Sequence, residues 1–284
     1  MKIIAMTNKK GGVGKTTTAL ATAAYLGQSG FSVLAIDMDP QANFTQASGA
    51  DMDVAGTFDF LSGAPIEECL QKLPKYAMMA SGPRLSRAEK EFDQIGRERL
   101  LKSALARVKG YDYVILDTAP SVLVLTQNAL CAADAVVICC QADSFSLLGL
   151  DDMMHNIDLV QEFYNPKLLV AGILQTRYNA QTKISEQATA LFRDKAKEFG
   201  TSVFSTAIRE NVAIKEAQMH KTDIFTYSPT CHASEDYAAF TKELFAVVEG
   251  GKKKWPKSSP KQKSDETPRI SIPRSPRKRP TRRR

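Results

Sequence analysis

Short apolar runs alternate along most of the chain with longer stretches in which apolar residues recur at helical spacing. The runs predict strands at 3–7, 32–37, 113–117, 135–140 and 168–174, with 202–206 as a candidate sixth. The stretches between them predict helices at 14–27, 98–108, 122–132, 147–163, 184–199 and 212–220. Strands that are apolar throughout and separated by helices are typical of a buried parallel sheet. The pattern predicts an α/β fold, with a mostly parallel central sheet and helices on both faces.

Two parts of the chain depart from this pattern. Residues 50–98 are less regular, and we expect an inserted helical or loop region there. The last amphipathic helical pattern ends near Gly250, and the 35 residues that follow hold six of the 13 prolines and the only tryptophan, Trp255. Because such a segment buries too little apolar surface to offset its ordering entropy, we predict a folded domain at 1–249 and a disordered Pro/Ser-rich tail at 250–284.

The charge is divided between these two parts. The net charge of the chain is +7, but residues 250–284 carry 14 Lys or Arg against two acids, which is +12. The body therefore has 24 basic and 29 acidic residues, a net charge of −5. The basic tail is a candidate for sequence-independent binding to nucleic-acid phosphates. A solubilising extension and a docking segment for a partner protein are the alternatives.

Composition excludes several classes of protein. No apolar run approaches the ~18–20 residues that span a bilayer, and the first residues lack the apolar core of a secretory signal. The cysteines have no CxxC spacing, and we expect them to be reduced thiols in a cytosolic protein. They are Cys69, Cys131, Cys139, Cys140 and Cys231.

A glycine-rich segment joins the first predicted strand to the first helix. Residues 9–17 read KKGGVGKTT, and a strand, a glycine loop and a helix N-terminus together form a cradle of backbone N–H groups for phosphate. In this arrangement Lys15 bridges the β- and γ-phosphates of a nucleotide, and the Thr16 hydroxyl binds Mg²⁺. The loop departs from the common GxxxxGK[ST] form, because Lys9 stands at its first glycine and Lys10 adds a second lysine.

Two further strands end in carboxylates. Asp37 and Asp39 close the second strand, and they meet the ligand-binding edge of a parallel sheet. We expect one of them to hold the metal shell and the other to orient an attacking water. Asp117 closes a third strand after four apolar residues, which is the Walker B arrangement for holding Mg²⁺.

At these motifs the chain resembles a known family. Residues 10–16, KGGVGKT, resemble the deviant Walker A loop of the ParA/MinD ATPases, and residues 37–43, DMDPQAN, resemble the DxDPQxN segment of the ParA branch. The similarity continues at 112–120, 132–138, 172–176 and 211–217, and it covers roughly residues 1–248. The first strand begins near residue 2, so we expect a Soj-like branch that lacks the N-terminal helix-turn-helix domain of autoregulating relatives.

The resemblance implies a mechanism. In this family ATP and Mg²⁺ drive a face-to-face homodimer, in which the lysine matching Lys10 reaches the phosphates in the partner subunit. The aspartate matching Asp39 is associated with hydrolysis, so Lys10, Lys15 and Asp39 are the implied catalytic residues. Thr16, Asp39 and Asp117 are the implied metal ligands. The implied nucleotide contacts are Lys10, Gly11, Gly12, Val13, Gly14, Lys15, Thr16, Thr17, Asp117 and Arg209.

The resemblance also implies partners and a location. Dimers of the ParA branch bind nucleoid DNA without sequence preference, and a ParB-like protein or cargo adaptor stimulates hydrolysis and releases them. The cargo is a plasmid, a chromosome or a large complex, and the expected location is cytoplasmic and nucleoid-associated.

One departure concerns DNA binding. The family often has a Pro-Arg-Asn-Val segment near the adenine and the DNA face, but residues 208–213 here read IRENVA, with Arg209 in place of the proline. We expect a replacement basic patch from Lys183, Arg209, Lys215 and Lys221. The densest basic cluster of the tail supplies further candidates, namely Arg277, Lys278, Arg279, Arg282, Arg283 and Arg284.

Three other functions remain as alternatives. A MinD-like regulator of cell division binds membranes through a terminal amphipathic helix, but six prolines interrupt this tail, so we expect no stable membrane binding. A relative that binds an iron–sulfur cluster needs paired cysteines in a suitable loop, and Cys131, Cys139 and Cys140 do not have that sequence context. A nucleotide-dependent scaffold with negligible turnover is the third alternative, and the intact Lys15, Asp39 and Asp117 argue against it.

Overall fold

A computed structural model describes residues 1–121, 123–251 and 253–256, with only the backbone for 144–148. The described chain contains a seven-stranded sheet in the order β3-β4-β2-β5-β1-β6-β7. Every neighbouring pair is parallel except β3 and β4. The strands are β1 (Lys2–Thr7), β2 (Val33–Met38), β3 (Leu70–Lys72), β4 (Ala77–Met79), β5 (Tyr113–Thr118), β6 (Ala135–Gln141) and β7 (Leu169–Thr176). The predicted α/β class is confirmed.

Helices cover both faces of the sheet. The longer ones are α1 (Lys15–Gln28), α7 (Val124–Ala132), α8 (Ser144–Phe163), α9 (Lys183–Glu198), α10 (Val212–Met219) and α12 (His232–Glu249). The shorter ones are α2 (Asn43–Ser48), α3 (Thr57–Leu61), α4 (Ile66–Cys69), α5 (Ala88–Glu91), α6 (Leu100–Leu105) and α11 (Ile224–Tyr227), with 3-10 turns at Pro83–Arg87 and Arg97–Arg99. Among the described helices, none combines the length and apolarity needed to cross a membrane.

The core consists of two apolar layers, one on each side of the sheet. Successive side chains of a strand point to opposite faces. In β5, Val114 and Leu116 join one layer, while Tyr113 and Ile115 join the other, and all four are buried. This two-sided burial explains why the strands are apolar throughout and do not alternate with polar residues.

The structure differs from the predicted elements in several places. The short helices α2 and α11 were not predicted, and the predicted helix at 98–108 is a 3-10 turn followed by the shorter α6. Residues 202–206 do not form a strand, and only a bridge between Ile173 and Val203 joins this segment to β7. The segment crosses β7 closely at Gly172, where an added Cβ would lie 2.8 Å from the Phe204 ring. Residues 50–98 contain not only short helices and turns but also β3 and β4, which extend the sheet. Strands of three residues are too short for a sequence pattern to indicate.

Parallel strands bring the ends of β1, β2, β5 and β7 to one edge of the sheet. Asp37 pairs with Asp117 in the register of β2 and β5, and Met6 of β1 pairs with Asp117 on the other side. The glycine loop follows β1 at this edge. The fold therefore collects the predicted chemical groups at the carboxyl edge of the sheet, where ligands bind in open α/β folds.

The described part of the predicted tail packs against the body. Gly250 and Gly251 both have positive φ, 55° and 72°, and turn the chain back after α12. Trp255 then packs against Tyr25, Phe31 and Phe245, with ring centroids 5.6, 5.6 and 5.0 Å away. This aromatic cluster lies at the amino edge of the sheet, opposite the glycine loop. The domain boundary at 249/250 stays a prediction, and residues 257–284 lie outside the described part.

We expect the Trp255 contacts to contribute measurably to stability. A chain ending at Gly251 should be less stable than one ending at Pro256 by about 1–2 kcal/mol, because a half-buried indole returns to water. The measurement is the urea midpoint at unchanged m-value. Trp255→Ala should reproduce most of the loss, and Lys254→Ala, at an exposed neighbouring position, should not. Equal midpoints for the two truncated chains would contradict a stabilising role for Trp255.

Candidate functional site

The glycine loop between β1 and α1 is shaped by two residues with positive φ. Gly12 and Gly14 have φ of 76° and 88°, which side-chain-bearing residues rarely adopt. A Cβ at Gly14 would also lie 3.4 Å from the Thr176 methyl group. The Thr176 hydroxyl donates to the Val13 carbonyl at 2.7 Å and thereby ties the loop to the end of β7. The loop thus has the left-handed turns that a cradle of backbone N–H groups for phosphate requires, and its role in binding phosphate stays a prediction.

Lys15, the first residue of α1, is buried inside this loop. Its side-chain amine donates to the Lys10 carbonyl at 3.0 Å, and the residue is 5% exposed. Burial lowers its pKa, while the nearby Asp117 carboxylate acts in the opposite direction. A buried ammonium beside a glycine loop is suited to bind the phosphates of a nucleotide.

Asp117, at the end of β5, is wholly buried, and neither carboxylate oxygen forms a hydrogen bond with the residues that the structure describes. Burial raises its pKa well above the usual value and the nearby Asp37 raises it further, while the Thr16 side chain and Lys15 act in the opposite direction. A buried carboxylate without partners is costly unless a cation compensates it. The unpaired oxygens therefore fit a hydrated Mg²⁺, as the sequence predicts for this position.

The two carboxylates at the end of β2 have different environments. Asp37 is fully buried and accepts bonds from the Asp39 backbone N–H at 3.0 Å and from the Thr45 N–H and hydroxyl at 2.9 and 2.8 Å. Burial raises its pKa to about 6 despite these bonds. Asp39 lines the cavity beside the glycine loop, and one of its oxygens accepts from the Gln41 N–H at 2.9 Å. Of the two, Asp39 is the carboxylate placed to meet a ligand.

Two large cavities lie near the loop, and a smaller one that shares residues with both is lined in part by Gly14 and Thr17. The first, of about 630 Å³, is lined by many of the predicted residues, namely Gly11, Gly12, Gly14, Lys15, Thr16, Thr17, Asp39, Lys215 and Lys221. The second, of about 570 Å³, lies beside the segment that follows β7, and its lining includes Tyr178, Arg209, Asn211 and Lys215. Lys215 lines both cavities, so the two are neighbours along one cleft. Val13 is buried beneath the loop and Lys183 is exposed at the start of α9; neither lines these cavities.

The second lysine of the loop makes an intrachain ion pair. The Lys10 ammonium contacts both oxygens of Asp143, which follows β6, at 2.6 Å, and both side chains are partly buried. Gly149 of α8 packs closely here, because an added Cβ would lie 3.7 Å from the Lys10 Cβ. The neighbouring Lys9 is exposed and pairs with Asp152 at 2.5 Å. The two adjacent lysines thus differ in burial and in their acidic partners.

Arg209 is engaged by α12. Its guanidinium contacts both oxygens of Asp236, at distances down to 2.6 Å, and its backbone N–H donates to the same carboxylate at 2.9 Å. Asp236 is 8% exposed, so this pair holds the 208–211 segment against α12. Arg209 borders the second cavity as predicted for a nucleotide contact, but its charge is already compensated by Asp236. We therefore expect it to shape the cleft and to add little to a DNA-binding patch.

Several residues of the cleft are not indicated by the sequence pattern. Arg177 follows β7, has a φ of 49° and lines the first cavity, and no ion pair or hydrogen bond of its side chain occurs within the described residues. Gln41, Asn43, Gln46 and Gln218 also line it. A positive φ at a residue with a side chain, and contacts between distant segments, cannot be predicted from the order of apolar and polar residues along the chain. The predicted tail cluster at Arg277–Arg279 and Arg282–Arg284 lies outside the described residues.

Comparison with known proteins relates this cleft to a family. A family model described as an AAA domain matches residues 1–170. The chain is 37% identical over 246 residues to the chromosome-partitioning ATPase Soj of Thermus thermophilus, covering 87% of this chain and 96% of that protein. It is 37% identical over 250 residues to the chromosome partitioning protein ParA of Myxococcus xanthus, covering 86% of this chain and 87% of that protein.

A solved structure extends the match to the fold. The crystal structure of cobyrinic acid a,c-diamide synthase from Mycobacterium smegmatis, with bound ATP analogue and magnesium, superposes with a TM-score of 0.77 at 29% identity. The match covers 90% of this chain and 98% of that one. Together with the glycine loop, the buried Asp117 and the Soj and ParA matches over most of its length, this likeness shows that the chain belongs to the ParA/Soj family of partitioning ATPases.

Proposed function

We propose that this protein is a DNA-partitioning switch, which binds ATP with Mg²⁺, forms a nucleotide-dependent homodimer on DNA, and hydrolyses ATP when a partner stimulates it. The observation that supports the nucleotide site most directly is the buried Asp117 carboxylate, whose two unpaired oxygens lie close to Lys15 beneath a phosphate-cradling loop. A cation and a phosphate chain together would compensate both buried charges.

The loop and its neighbours divide the work of binding. The loop N–H groups and Lys15 hold the phosphates, and Thr16, Asp39 and Asp117 hold Mg²⁺. Magnesium supplies charge neutralisation of the phosphates and a geometry for the leaving group. The second cavity, bordered by Tyr178, Arg209 and Asn211, is large enough to receive the adenosine.

Asp39 is the proposed hydrolytic residue. It faces the first cavity from the end of β2, whereas Asp37 is turned inward and fully bonded. One oxygen of Asp39 receives the Gln41 N–H, which leaves the other to orient a water or to order the metal shell. The two carboxylates, two positions apart in the chain, thus have different proposed roles.

The dimer rests on Lys10 and on the surface around the cleft. Lys10 pairs with Asp143 within its own chain, and in the proposed dimer it exchanges this partner for the phosphates bound by the second subunit. On α10, at the mouth of the cleft, Val212 and Met219 are 69% and 83% exposed. Apolar side chains exposed beside a ligand cleft suit burial against a second copy.

DNA binding is assigned to the basic tail together with lysines at the cleft. The body is acidic overall, so the +12 of residues 250–284 supplies the attraction to phosphates. Lys215 and Lys221 line the first cavity and add positive charge there, while Lys183 stands apart on α9. We propose a cytoplasmic, nucleoid-associated location, a ParB-like protein or cargo adaptor as the stimulating partner, and a plasmid, a chromosome or a large complex as the cargo.

The nucleotide site is tested by two substitutions. Lys15→Ala should reduce ATP affinity by about 100-fold or more, because a buried phosphate-binding charge is removed. Asp117→Asn should remove the gain in affinity that Mg²⁺ confers while leaving Mg²⁺-free binding nearly unchanged. Both are measured by equilibrium nucleotide binding with and without Mg²⁺. Lys183→Ala, away from both cavities, is the control, and wild-type affinity in Lys15→Ala would refute the assignment.

The role of Lys10 is tested against its neighbour. Lys10→Ala should keep ATP binding within a few-fold but lose ATP-dependent dimer formation and most hydrolysis, because the lysine acts on the partner's phosphates. Lys9→Ala removes the adjacent, exposed lysine and should change neither property. Dimers are measured by analytical ultracentrifugation with ATP and Mg²⁺. Wild-type dimer formation in Lys10→Ala would contradict the proposal.

The tail is tested by truncation after Pro256, which retains the Trp255 contacts and removes eleven Lys and Arg. DNA affinity in the presence of ATP should fall, and the slope of log affinity against log salt should become shallower by about 0.9 for each DNA phosphate that the tail neutralises in the full chain. Binding is measured by fluorescence anisotropy of labelled duplex DNA over a salt series. An identical slope with and without residues 257–284 would assign the binding of DNA phosphates to the body.

A further inference from the structure

A closed ring of hydrogen bonds surrounds the backbone of Asp39. Asp37 accepts the Asp39 N–H and the Thr45 hydroxyl, at 3.0 and 2.8 Å. The Thr45 hydroxyl in turn accepts the Ser81 N–H at 2.8 Å, and the Ser81 hydroxyl donates to the Asp39 carbonyl at 2.7 Å. All four residues are buried, with exposures of 5% or less. The ring therefore fixes both the N–H and the C=O of the residue whose side chain faces the cavity.

The ring joins three segments that are distant in sequence. Asp37 and Asp39 end β2, Thr45 lies in α2, and Ser81 follows β4, in the region that the sequence leaves without a regular pattern. A second link runs in parallel, because the Thr57 hydroxyl donates to the Asp37 carbonyl at 2.9 Å and the Thr57 N–H donates to the Ala80 carbonyl at 2.8 Å. The position of Asp39 thus depends on how residues 50–98 pack against β2.

The segment that carries Ser81 packs closely against its neighbours. A Cβ at Gly56 would lie 2.2 Å from the Ala80 carbonyl oxygen, and a Cβ at Gly82 would lie 2.7 Å from the Met52 carbonyl oxygen. Backbone therefore packs directly on backbone on both sides of Ser81. A hydroxyl carried by a closely packed segment positions its acceptor better than one carried by an unsupported loop.

We propose that Ser81 is a positioning residue for ATP hydrolysis, which acts with Thr45 by fixing the backbone of Asp39. The inference rests on the hydrolytic role proposed for Asp39. Asp37 then has a structural role in the same ring. Its carboxylate accepts the hydrogen bonds of Asp39 and Thr45 and does not contact the ligand. In this proposal the strands β3 and β4 and their connections hold Ser81 in place, and through Ser81 they support the backbone of Asp39.

Hydrogen bonds that only stabilise α2 would give a different result from bonds that position Asp39. A loss of stability alone changes the urea midpoint and leaves the turnover of the folded protein intact. A displaced Asp39 lowers turnover at saturating ATP while the phosphates, held by the loop and Lys15, bind as before. Displacement of a reacting group by about 1 Å can cost on the order of 100-fold in rate.

The test uses the full chain with ATP, Mg²⁺ and duplex DNA. Ser81→Ala removes the bond to the Asp39 carbonyl and keeps the Ser81 N–H bond to Thr45. It should lower kcat by about 10-fold or more, with the affinity for ATP within about 2-fold of wild type. Ser86→Ala is the matched control, because Ser86 also donates to a carbonyl, that of Pro83 at 2.6 Å, but is exposed and outside the ring.

A second pair of variants tests the same ring from α2. Thr45→Val removes the hydroxyl with little change of shape and should lower kcat, whereas Thr45→Ser restores the hydroxyl and should recover most of the rate. Unchanged kcat in folded Ser81→Ala overturns the inference, as does an equal loss in Thr45→Ser and Thr45→Val.

Asp39→Ala separates the inference from the function on which it rests. If Asp39→Ala is inactive and Ser81→Ala is unchanged, the positioning role fails and the role of Asp39 stands. If Asp39→Ala hydrolyses ATP at the wild-type rate, the proposed role of Asp39 fails, and the positioning role fails with it.

Discussion

Two carboxylates on adjacent parallel strands lie wholly out of water, and the site depends on how each charge is compensated. Asp37 is compensated inside the protein, by two backbone N–H groups and a hydroxyl. Asp117, its register partner, forms no hydrogen bond at either oxygen within the described part of the chain, although the Thr16 side chain acts to lower its pKa. Since an uncompensated buried charge costs several kcal/mol, the second carboxylate keeps its charge only beside a cation. This asymmetry divides the pair into a structural carboxylate and a ligand-binding one.

Lys15 compensates part of the negative charge of these buried carboxylates. It is buried beside Asp117, but its amine is already bonded to the Lys10 carbonyl within the loop. Within the described chain Lys15 is the only buried lysine or arginine, and it lies near the buried Asp117 and Asp39. A nucleotide alone would add more negative charge to this buried group. Mg²⁺ and nucleotide together would bring both signs, which favours their binding as one unit in the proposed site.

The sequence was sufficient for those parts of the site that are contiguous. The glycine loop, Lys15 and Thr16 lie within one short segment, and Asp117 ends an apolar strand, so their placement follows from local pattern and from the geometry of parallel strands. The local pattern did not distinguish Asp37 from Asp39, and only the family resemblance favoured Asp39. In the structure the difference comes from Thr45, eight positions from Asp37, which bonds the Asp37 carboxylate. Nor could the local pattern indicate Ser81 or Arg177, whose importance comes from a contact across the fold and from a positive φ. Contacts between distant segments are set by packing, and β3 and β4 are too short to predict.

The fold also separates the nucleotide from the basic tail. Trp255 holds the start of the tail beside Phe31 and Tyr25, at the amino edge of the sheet, while the glycine loop lies at the carboxyl edge. Strands of about six residues span roughly 20 Å between these edges, so a nucleotide held at the glycine loop would lie away from the anchored start of the tail. In the proposed dimer, the nucleotide instead affects DNA binding by the tail because it brings two tails together in one particle. Two tails joined in one particle bind a polyanion far more tightly than one, because the second binds at the effective concentration set by the first. ATP would then raise the affinity for DNA by joining two tails in a dimer. Hydrolysis would lower this affinity by separating the subunits.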